Sequence, residues 1–161
     1  MEILELYNDK FKKTGETIVR GEMPSKGKNI MLSVIFIKDE NNKYLIQKTS
    51  KEKGNKFSST GGHVIKGENA LETIIRELEE ELGICTDEEK INYITTFKHP
   101  TKNCIFNVYL LVIQNDSVKN IKLQKEEVEE VNFYDIKEIE KIIEKGDFLE
   151  SHAYIFENYI K

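Results

Sequence analysis

The chain has 161 residues, a formal net charge of −5 and 33% charged residues. This length suits one domain, residues 1–161, with a sizeable hydrophobic core. Because the charge is acidic and no block of lysine and arginine stands apart from acidic residues, we expect no binding to nucleic acid polymers or anionic membranes.

The remaining composition points to a cytoplasmic protein. No apolar run approaches the roughly 18 residues of a membrane-spanning helix. The first residues mix glutamate, aspartate and lysine, unlike a signal peptide. The two cysteines, Cys85 and Cys104, show neither a disulfide framework nor a metal-binding spacing, so we expect reduced thiols.

The first 60 residues predict five strands, at residues 3–7, 17–20, 30–37, 43–47 and 57–60. The first two form a hairpin with a turn at Asn8-Asp9, and residues 39–42 supply a turn between the next two. The run from Ile30 to Ile37 is rich in apolar and β-branched residues, which is typical of a buried central strand. Residues 50–56 are charged and are expected to form a loop.

Residues 69–82 predict an amphipathic helix. At about 100° per residue, one face collects five apolar side chains: Leu71, Ile74, Ile75, Leu78 and Leu82. Gly83 is expected to end the helix as a left-handed residue just after it. The apolar stripe must face a hydrophobic core.

Three glutamates lie on a neighbouring face of this helix. Glu77, Glu80 and Glu81 are spaced so that their carboxylates converge, and like charges at such spacing repel by a few tenths of a kcal/mol per pair. Such a cluster favours a hard divalent cation, since Mg²⁺ typically takes carboxylate, water and phosphate oxygens. Residues 58–63 are small and polar, and the adjacent glycines let the backbone approach a ligand closely or adopt a positive φ. We therefore expect a carbonyl near Gly62 and the glutamates to share one metal site.

The second half of the chain predicts three more strands and two helices. The strands lie at residues 91–97, 105–113 and 131–134, and the helices at residues 136–145 and 148–160. The strand at residues 105–113 is apolar on both faces, which is typical of a strand covered on both sides. Helices on both sides of a mixed sheet predict an α/β fold of the α/β/α sandwich type.

Residues 62–84 resemble the Nudix box, G-x5-E-x7-R-E-U-x-E-E-x-G-U, in which U is apolar. The match is complete at Gly62, Glu68, Arg76, Glu77, Leu78, Glu80, Glu81, Gly83 and Ile84. So many constrained positions at fixed spacing arise by chance in well under about one in a million chains of ordinary composition. The resemblance implies a Nudix-type sandwich, binding of Mg²⁺ or Mn²⁺, and hydrolysis of a diphosphate linked to another group.

The resemblance also implies roles for individual residues. The implied metal ligands are Gly62, Glu77, Glu80 and Glu81, and the implied catalytic set is Arg76 with the same three glutamates. In the family, the arginine lies buried against an acid that it orients. Each of two residues has an alternative role. Arg76 could be a surface residue paired with Glu80. Glu68 could be a charge at the start of the helix instead of a catalytic residue.

Weaker candidates for substrate binding are Lys48, His63, Glu68 and Glu127. His63 adjoins the glycine segment and either contacts a phosphate or makes a structural hydrogen bond. Glu127 and its neighbour Glu126 lie in a loop where some Nudix hydrolases place an acid that activates water, although an isolated loop acid is more often solvated. His99 and His152 have no spaced partners and are expected to be structural.

The front half resembles a Nudix subgroup whose arrangement recurs in isopentenyl-diphosphate isomerase. The shared segments are Leu6-Tyr7, Thr14-Gly15, Arg20-Gly21-Glu22, residues 45–48 and Gly61-Gly62-His63. The chain departs from the isomerase at Met31, near the place of a metal-binding histidine, and at residues 58–60, where a cysteine is expected.

We therefore expect a Mg²⁺-dependent (or Mn²⁺-dependent) pyrophosphohydrolase. Its expected substrate is a small molecule, either a nucleoside di- or triphosphate or another organic diphosphate, and it is expected to be a monomer or a homodimer. An isomerase-like enzyme and a Nudix-like binding module without turnover are the alternatives.

Overall fold

The computed structural model describes the backbone of residues 1–161 and the side chains of residues 1–118 and 121–161. Its strands are β1 (Ile3–Tyr7), β2 (Lys13–Val19), β3 (Ile30–Lys38), β4 (Tyr44–Thr49), β5 (Phe57–Ser58), β6 (Thr60–His63), β7 (Ile91–Lys98), β8 (Cys104–Val112) and β9 (Val128–Tyr134). Its α-helices are α1 (Ala70–Leu82), α2 (Ile136–Glu144) and α3 (Glu150–Ile155), and a π-helical turn, Phe156–Ile160, follows α3.

The strands form two sheets. β1 and β2 pair antiparallel as a separate hairpin, and the other strands form one mixed sheet with β3 at its centre. β3 pairs in parallel with β8, starting with Ile30 opposite Cys104. It also pairs antiparallel with β6, where Ser33 lies opposite Gly62. β4 extends the sheet by pairing with β5 and β9. This register places the glycine segment beside the middle of the central strand.

Helices cover both faces of the mixed sheet. Phe36 of β3 packs in one apolar cluster with Ile139 of α2 and Ile155 of α3. Its neighbour Ile35 packs in the opposite cluster with Leu78 of α1, because successive side chains of a strand point to opposite faces. The predicted α/β/α sandwich is confirmed. Within the part of the chain that the structure describes, no helix is long and apolar enough to cross a membrane.

Helix α1 is positioned by its first residues and by its apolar stripe. Asn69 caps it: the Glu72 backbone N–H donates to Asn69 Oδ1 at 2.8 Å, and the Asn69 N–H donates to Glu72 Oε1 at 3.0 Å. Ile74, Leu78 and Leu82 are almost fully buried, and each contributes about 1.5–3 kcal/mol of hydrophobic free energy. Burying this stripe fixes the rotation of the helix, so that its glutamate face turns toward β6.

The prediction of a single strand at residues 57–60 is wrong, because the structure has two strands in this segment, β5 and β6. β5 pairs with β4, whereas β6 pairs with β3. Between them, Ser59 donates its backbone N–H to His152 Nδ1 at 3.1 Å and its hydroxyl to the carbonyl of Ile35. Because these groups are satisfied outside the strand ladder, the chain can pass from one partner strand to the other at this residue.

Other boundaries also differ from the prediction. β2 begins at Lys13 instead of residue 17, β9 begins at Val128 instead of residue 131, and the helix predicted at residues 148–160 begins at Glu150 and continues as a π-helical turn. In β2, the Thr14 hydroxyl donates to the carbonyl of Leu6 at 3.0 Å across the hairpin. Polar contacts of this kind between strands stabilise strand residues whose sequence shows no hydrophobic alternation.

Candidate active site

Gly62 allows α1 to approach β6 closely. A β-carbon on residue 62 would overlap the Cγ, Cδ and Oε1 atoms of Glu77, and one on Gly61 would lie 2.8 Å from the carbonyl oxygen of Ser33. Neither glycine has a positive φ, whereas Gly67 and Gly83, at the two ends of the helix segment, do. The adjacent glycines are therefore needed for close packing, and they bring the Glu77 carboxylate against the backbone of β6.

Arg76 connects the acidic residues around it. Its guanidinium donates to both oxygens of Glu68, at 2.7 Å from Nε and 3.0 Å from Nη2, and its Nη1 donates to Glu77 at 3.0 Å and Glu80 at 3.2 Å. The Thr73 hydroxyl donates to the same Glu68 carboxylate at 2.8 Å. The Arg76 side chain is 25% exposed. The side chain is therefore half-buried. It pairs with Glu80, as in the surface alternative, and it also contacts Glu68 and Glu77, whereas the family arrangement implies burial against one acid.

Glu68 is more than a charge at the helix entry. The bidentate contact with Arg76 and the hydrogen bond from Thr73 hold its pKa below the usual range of a glutamate, with the Arg76 hydrogen bonds as the largest cause. This carboxylate therefore fixes the orientation of the Arg76 guanidinium, which in turn contacts Glu77 and Glu80.

Glu81 is the most deeply buried of the acidic side chains in this region. It is 8% exposed, and its Oε1 has no hydrogen-bond partner among the described residues. Burial, and to a smaller extent the nearby Glu77 carboxylate, raises the pKa of Glu81 to about 8. Burial likewise raises the pKa of Glu77 to about 6, against the opposing charge of Arg76. Among the described residues, no ion pair includes Glu81, and the contact of Glu77 with Arg76 does not offset the burial of the Glu77 carboxylate.

A cavity of about 180 Å³ lies beside these residues and is called the acid cavity below. Its walls include Glu77, Glu80, Glu81, Glu127 and both arginines of the chain, Arg20 and Arg76. Gly61 and Gly62 form part of the same wall. The cavity thus gathers charged side chains from the N-terminal hairpin, α1 and the loop before β9 around the glycine backbone of β6.

The donor set of the acid cavity suits a hard divalent cation. The available groups are carboxylate and carbonyl oxygens, which Mg²⁺ and Mn²⁺ accept, and Glu81 Oε1 is a buried oxygen that lacks a partner. In the described part of the chain, no three acidic, histidine or cysteine side chains already form a metal cage. Arg76 Nη1 contacts Glu77 and Glu80, so a positive charge of the protein lies beside these two carboxylates.

The structure brings most of the sequence-predicted candidates together, with one exception. Glu127 lines the acid cavity, and His63 follows Gly62 directly and lines a neighbouring cavity. Burial and the nearby Arg20 lower the pKa of His63. Lys48 is not among the residues that line either cavity, and its Nζ lies 5.5 Å from the centre of the Phe57 ring.

The two other histidines are structural, as expected. His99 Nδ1 accepts the backbone N–H groups of Thr101 and Lys102 at 3.1 and 3.0 Å, and His152 Nδ1 accepts that of Ser59. Each ring therefore holds a loop or a strand junction in place.

Three residues without a role predicted from the sequence also line the acid cavity: Glu2, Arg20 and Gln124. Arg20 Nη1 donates to Glu2 Oε1 at 2.6 Å, and the Gln124 backbone N–H donates to the Glu81 carbonyl at 3.1 Å. One feature of the sequence points to Arg20. The chain has only two arginines, and the other, Arg76, lies in the Nudix box.

Comparison with models of protein families identifies the family of this chain. Residues 30–159 match the model of the NUDIX domain. The chain belongs to the Nudix hydrolase family. A Nudix hydrolase of Listeria monocytogenes is 31% identical over 168 aligned positions, which cover 99% of this chain and 94% of the relative. This Nudix protein is therefore an enzyme, a hydrolase that acts on phosphoric anhydride bonds.

Solved structures of similar proteins share the fold. The structure of DR0079 from Deinococcus radiodurans superposes with a TM-score of 0.84 and 19% identity, covering 99% of this chain and 100% of that one. A bifunctional NMN adenylyltransferase/ADP-ribose pyrophosphatase of Francisella tularensis, solved with AMP and a manganese ion, gives a TM-score of 0.66 and 22% identity. That match covers 84% of this Nudix chain and 41% of the longer protein.

Proposed function

We propose that this Nudix hydrolase is a Mg²⁺- or Mn²⁺-dependent pyrophosphohydrolase that acts on a nucleoside di- or triphosphate or on another organic diphosphate. The observation that carries the proposal is the buried, unpartnered Oε1 of Glu81, in a cavity that also holds Glu77, Glu80 and the backbone of Gly62. A buried carboxylate oxygen without a partner destabilises the folded protein by about 1–3 kcal/mol. A divalent cation supplies the missing partner.

The metal ligands proposed are Glu77, Glu80, Glu81 and the Gly62 carbonyl. These groups would hold the cation, and when bound it would neutralise charge on the diphosphate oxygens and make phosphorus more open to attack by water. The attacking water forms the new P–O bond, the bridging P–O bond breaks, and a carboxylate of the cavity takes the proton that the water loses.

The arginines have different roles in this proposal. Arg76 is a positioning residue: its bidentate contact with Glu68 leaves Nη1 aimed at Glu77 and Glu80, which orients the ligand carboxylates. Arg20 is half-exposed and pairs only with Glu2, at 2.6 Å, among the described residues, so its guanidinium can turn to a phosphate of the substrate. The acid cavity therefore offers a cation to a polyanionic substrate in addition to the metal.

The isomerase alternative receives no support from the described residues. Met31 is buried in an apolar cluster with Tyr7, Val64 and Ile105, and it is not among the residues that line the acid cavity. Ser59 donates its hydroxyl to the carbonyl of Ile35 and is buried. Met31 therefore offers no imidazole for a metal ion, and the Ser59 hydroxyl is already bonded to a backbone carbonyl.

The test is a panel of nucleoside diphosphates, nucleoside triphosphates and other organic diphosphates, incubated with Mg²⁺ in ¹⁸O-labelled water. We expect cleavage of at least one compound, with one solvent oxygen in a phosphate product. Isopentenyl diphosphate is expected to remain unchanged. An allylic isomer that keeps its diphosphate would show the isomerase function instead, and failure of every compound to react would reject the proposed function.

A further inference from the structure

Two polar side chains lie buried in the sheet beneath α1. Gln47 of β4 is 4% exposed, and Thr60 of β6 is 1% exposed. The Thr60 hydroxyl donates to Gln47 Oε1 at 3.0 Å. Neither residue is among those that line the acid cavity. Because a buried amide or hydroxyl destabilises a fold unless it is hydrogen-bonded, an apolar pair would be the simpler choice at these two positions.

Both side chains point to the face of the sheet that α1 covers. Leu45, two residues before Gln47 in β4, packs in the apolar cluster of Leu78, and alternate residues of a strand share a face. Thr60 lies opposite Ile35 of β3, which belongs to the same cluster. The Gln47–Thr60 pair therefore lies on the same side of the sheet as the glutamates of the helix.

Gln47 also interacts with Glu81. Burial raises the pKa of Glu81, and hydrogen bonding from the Gln47 side chain and the Gly61 backbone opposes that rise. A glutamine amide has one acceptor oxygen and two N–H donors, and the oxygen of Gln47 is engaged by the Thr60 hydroxyl. The amide nitrogen is therefore the end that can donate to the carboxylate, and Thr60 determines which end faces Glu81.

The contact with Gln47 leaves part of the Glu81 carboxylate free. Glu81 Oε1 has no hydrogen-bond partner among the described residues. A donor that is held against a carboxylate limits its rotation, so the free oxygen keeps one direction. Hydrogen bonds of this kind orient the ligands of metal sites, and their loss typically weakens metal binding or activity by about 10–100-fold.

We propose that Gln47, held by Thr60, is a positioning residue that orients the Glu81 carboxylate toward the divalent cation. The inference rests on the proposed function, because it concerns a ligand of the proposed metal site. It gives the buried amide a task that an apolar residue of similar size could not perform. Removal of the amide or of the hydroxyl should therefore weaken metal binding, although neither residue is a proposed ligand.

Binding of Mn²⁺ tests this role without any substrate. Mn²⁺ is titrated into each variant, and electron paramagnetic resonance measures the free ion and so gives the Kd. Gln47→Leu removes the amide, and we expect the Kd to rise by about tenfold or more. Thr60→Val removes only the hydroxyl and should raise the Kd by a smaller factor. Thr60→Ser retains a hydroxyl and should restore most of the affinity.

The matched control is Ile46→Val. Ile46 is 1% exposed and precedes Gln47 in β4, but it packs on the opposite face of the sheet, in the cluster of Ile139 from α2. The substitution should lower the urea midpoint, because it removes a buried methylene group, and it should leave the Kd for Mn²⁺ unchanged. An equal rise of the Kd in Ile46→Val and Gln47→Leu would reflect general destabilisation and would overturn the proposal.

A double substitution shows whether Gln47 acts through Glu81. On the Glu81→Gln background, Gln47→Leu should not raise the Kd further, because the carboxylate that it orients is already gone. The same rise on both backgrounds would mean that Gln47 affects the metal by another route, and it would overturn the proposal.

Failure of this inference differs from failure of the proposed function. Unchanged Kd values in both Gln47→Leu and Thr60→Val would overturn the role of Gln47 and leave the proposed function standing. Absence of Mn²⁺ binding by the unsubstituted protein would reject the metal site of the proposed function, and the role of Gln47 with it. If Gln47→Leu does not fold, the comparison of Thr60→Val with Thr60→Ser decides the outcome.

Discussion

The Glu77 carboxylate lies against the bare α-carbon of Gly62, where a β-carbon would overlap it. This contact joins α1 to β6 and sets the position of an implied metal ligand relative to a backbone carbonyl. It depends on glycine at position 62, because alanine would displace the carboxylate.

We therefore expect Gly62→Ala to lower kcat by about tenfold or more, since a 1 Å displacement of a catalytic group can cost about 10²-fold. The stability loss should be small, because the atoms displaced belong to the end of a flexible side chain. Gly61→Ala is the matched comparison, since its β-carbon meets the backbone carbonyl of Ser33 at 2.8 Å and should mainly reduce the free energy of unfolding. Urea denaturation and steady-state kinetics of both variants check this, and equal kinetic effects without a stability difference would contradict it.

Removal of the proposed ligand carboxylates should lower both activity and metal-dependent stabilisation. We expect Glu80→Gln and Glu81→Gln to lower kcat by about 10²-fold or more while the protein stays folded. At 100 times its Kd, Mg²⁺ should stabilise the unsubstituted protein by about 2.7 kcal/mol, and Glu81→Gln should lose most of this gain. Glu79→Gln is the control, because Glu79 is an exposed residue of the same helix that does not line the acid cavity.

Thermal unfolding with Mg²⁺ and with excess chelator measures the stabilisation, and product release measures turnover. Full activity of the chelated protein, or near-normal rates in the glutamine variants, would show that these glutamates do not form the metal site.

Arg76 and Glu68 should be coupled in both stability and activity. Arg76→Lys keeps the charge but loses the planar fork that contacts both Glu68 oxygens, so we expect a loss of about 1–3 kcal/mol and a fall in kcat/KM. Glu68→Gln should cost less on the Arg76→Lys background than on the unsubstituted one. Arg20→Ala serves as the comparison, because its exposed pair with Glu2 should contribute at most about 1 kcal/mol to stability. Additive effects of the two substitutions in a double-mutant cycle would argue against the coupling.

His152 should make the protein less stable in mild acid. Burial lowers its pKa to about 4, below the roughly 6.5 of an unfolded chain. The unfolded chain therefore binds a proton at a higher pH than the folded protein, and His152 reduces stability progressively as the pH falls from about 6.5 to 4, by about 3 kcal/mol in all.

The variant that checks this is His152→Asn, whose Oδ1 can accept the Ser59 N–H without titrating. Unfolding free energies of the two proteins between pH 7 and pH 4 should converge as the pH falls. Parallel curves would mean that His152 does not carry the acid sensitivity.

The sequence alone predicted a helix at residues 69–82, with its buried stripe and its glutamate face, and the structure has that helix at residues 70–82. These features depend on contacts within one helical segment, where the spacing of side chains follows directly from 3.6 residues per turn. The central strand β3 and the doubly covered strand β8 were predicted for a similar reason, because their hydrophobic runs are local and long.

Only the tertiary structure determined which other residues meet these glutamates. Glu2, Arg20, Gln124 and Glu127 come from the N-terminal hairpin and from the loop before β9, and Lys48, a candidate of the same kind, does not reach the cavity. The split of residues 57–60 into β5 and β6 depends likewise on His152, which lies 93 positions away from Ser59. Such contacts depend on strand pairing and loop direction across the whole chain, and no periodicity within a short segment encodes them.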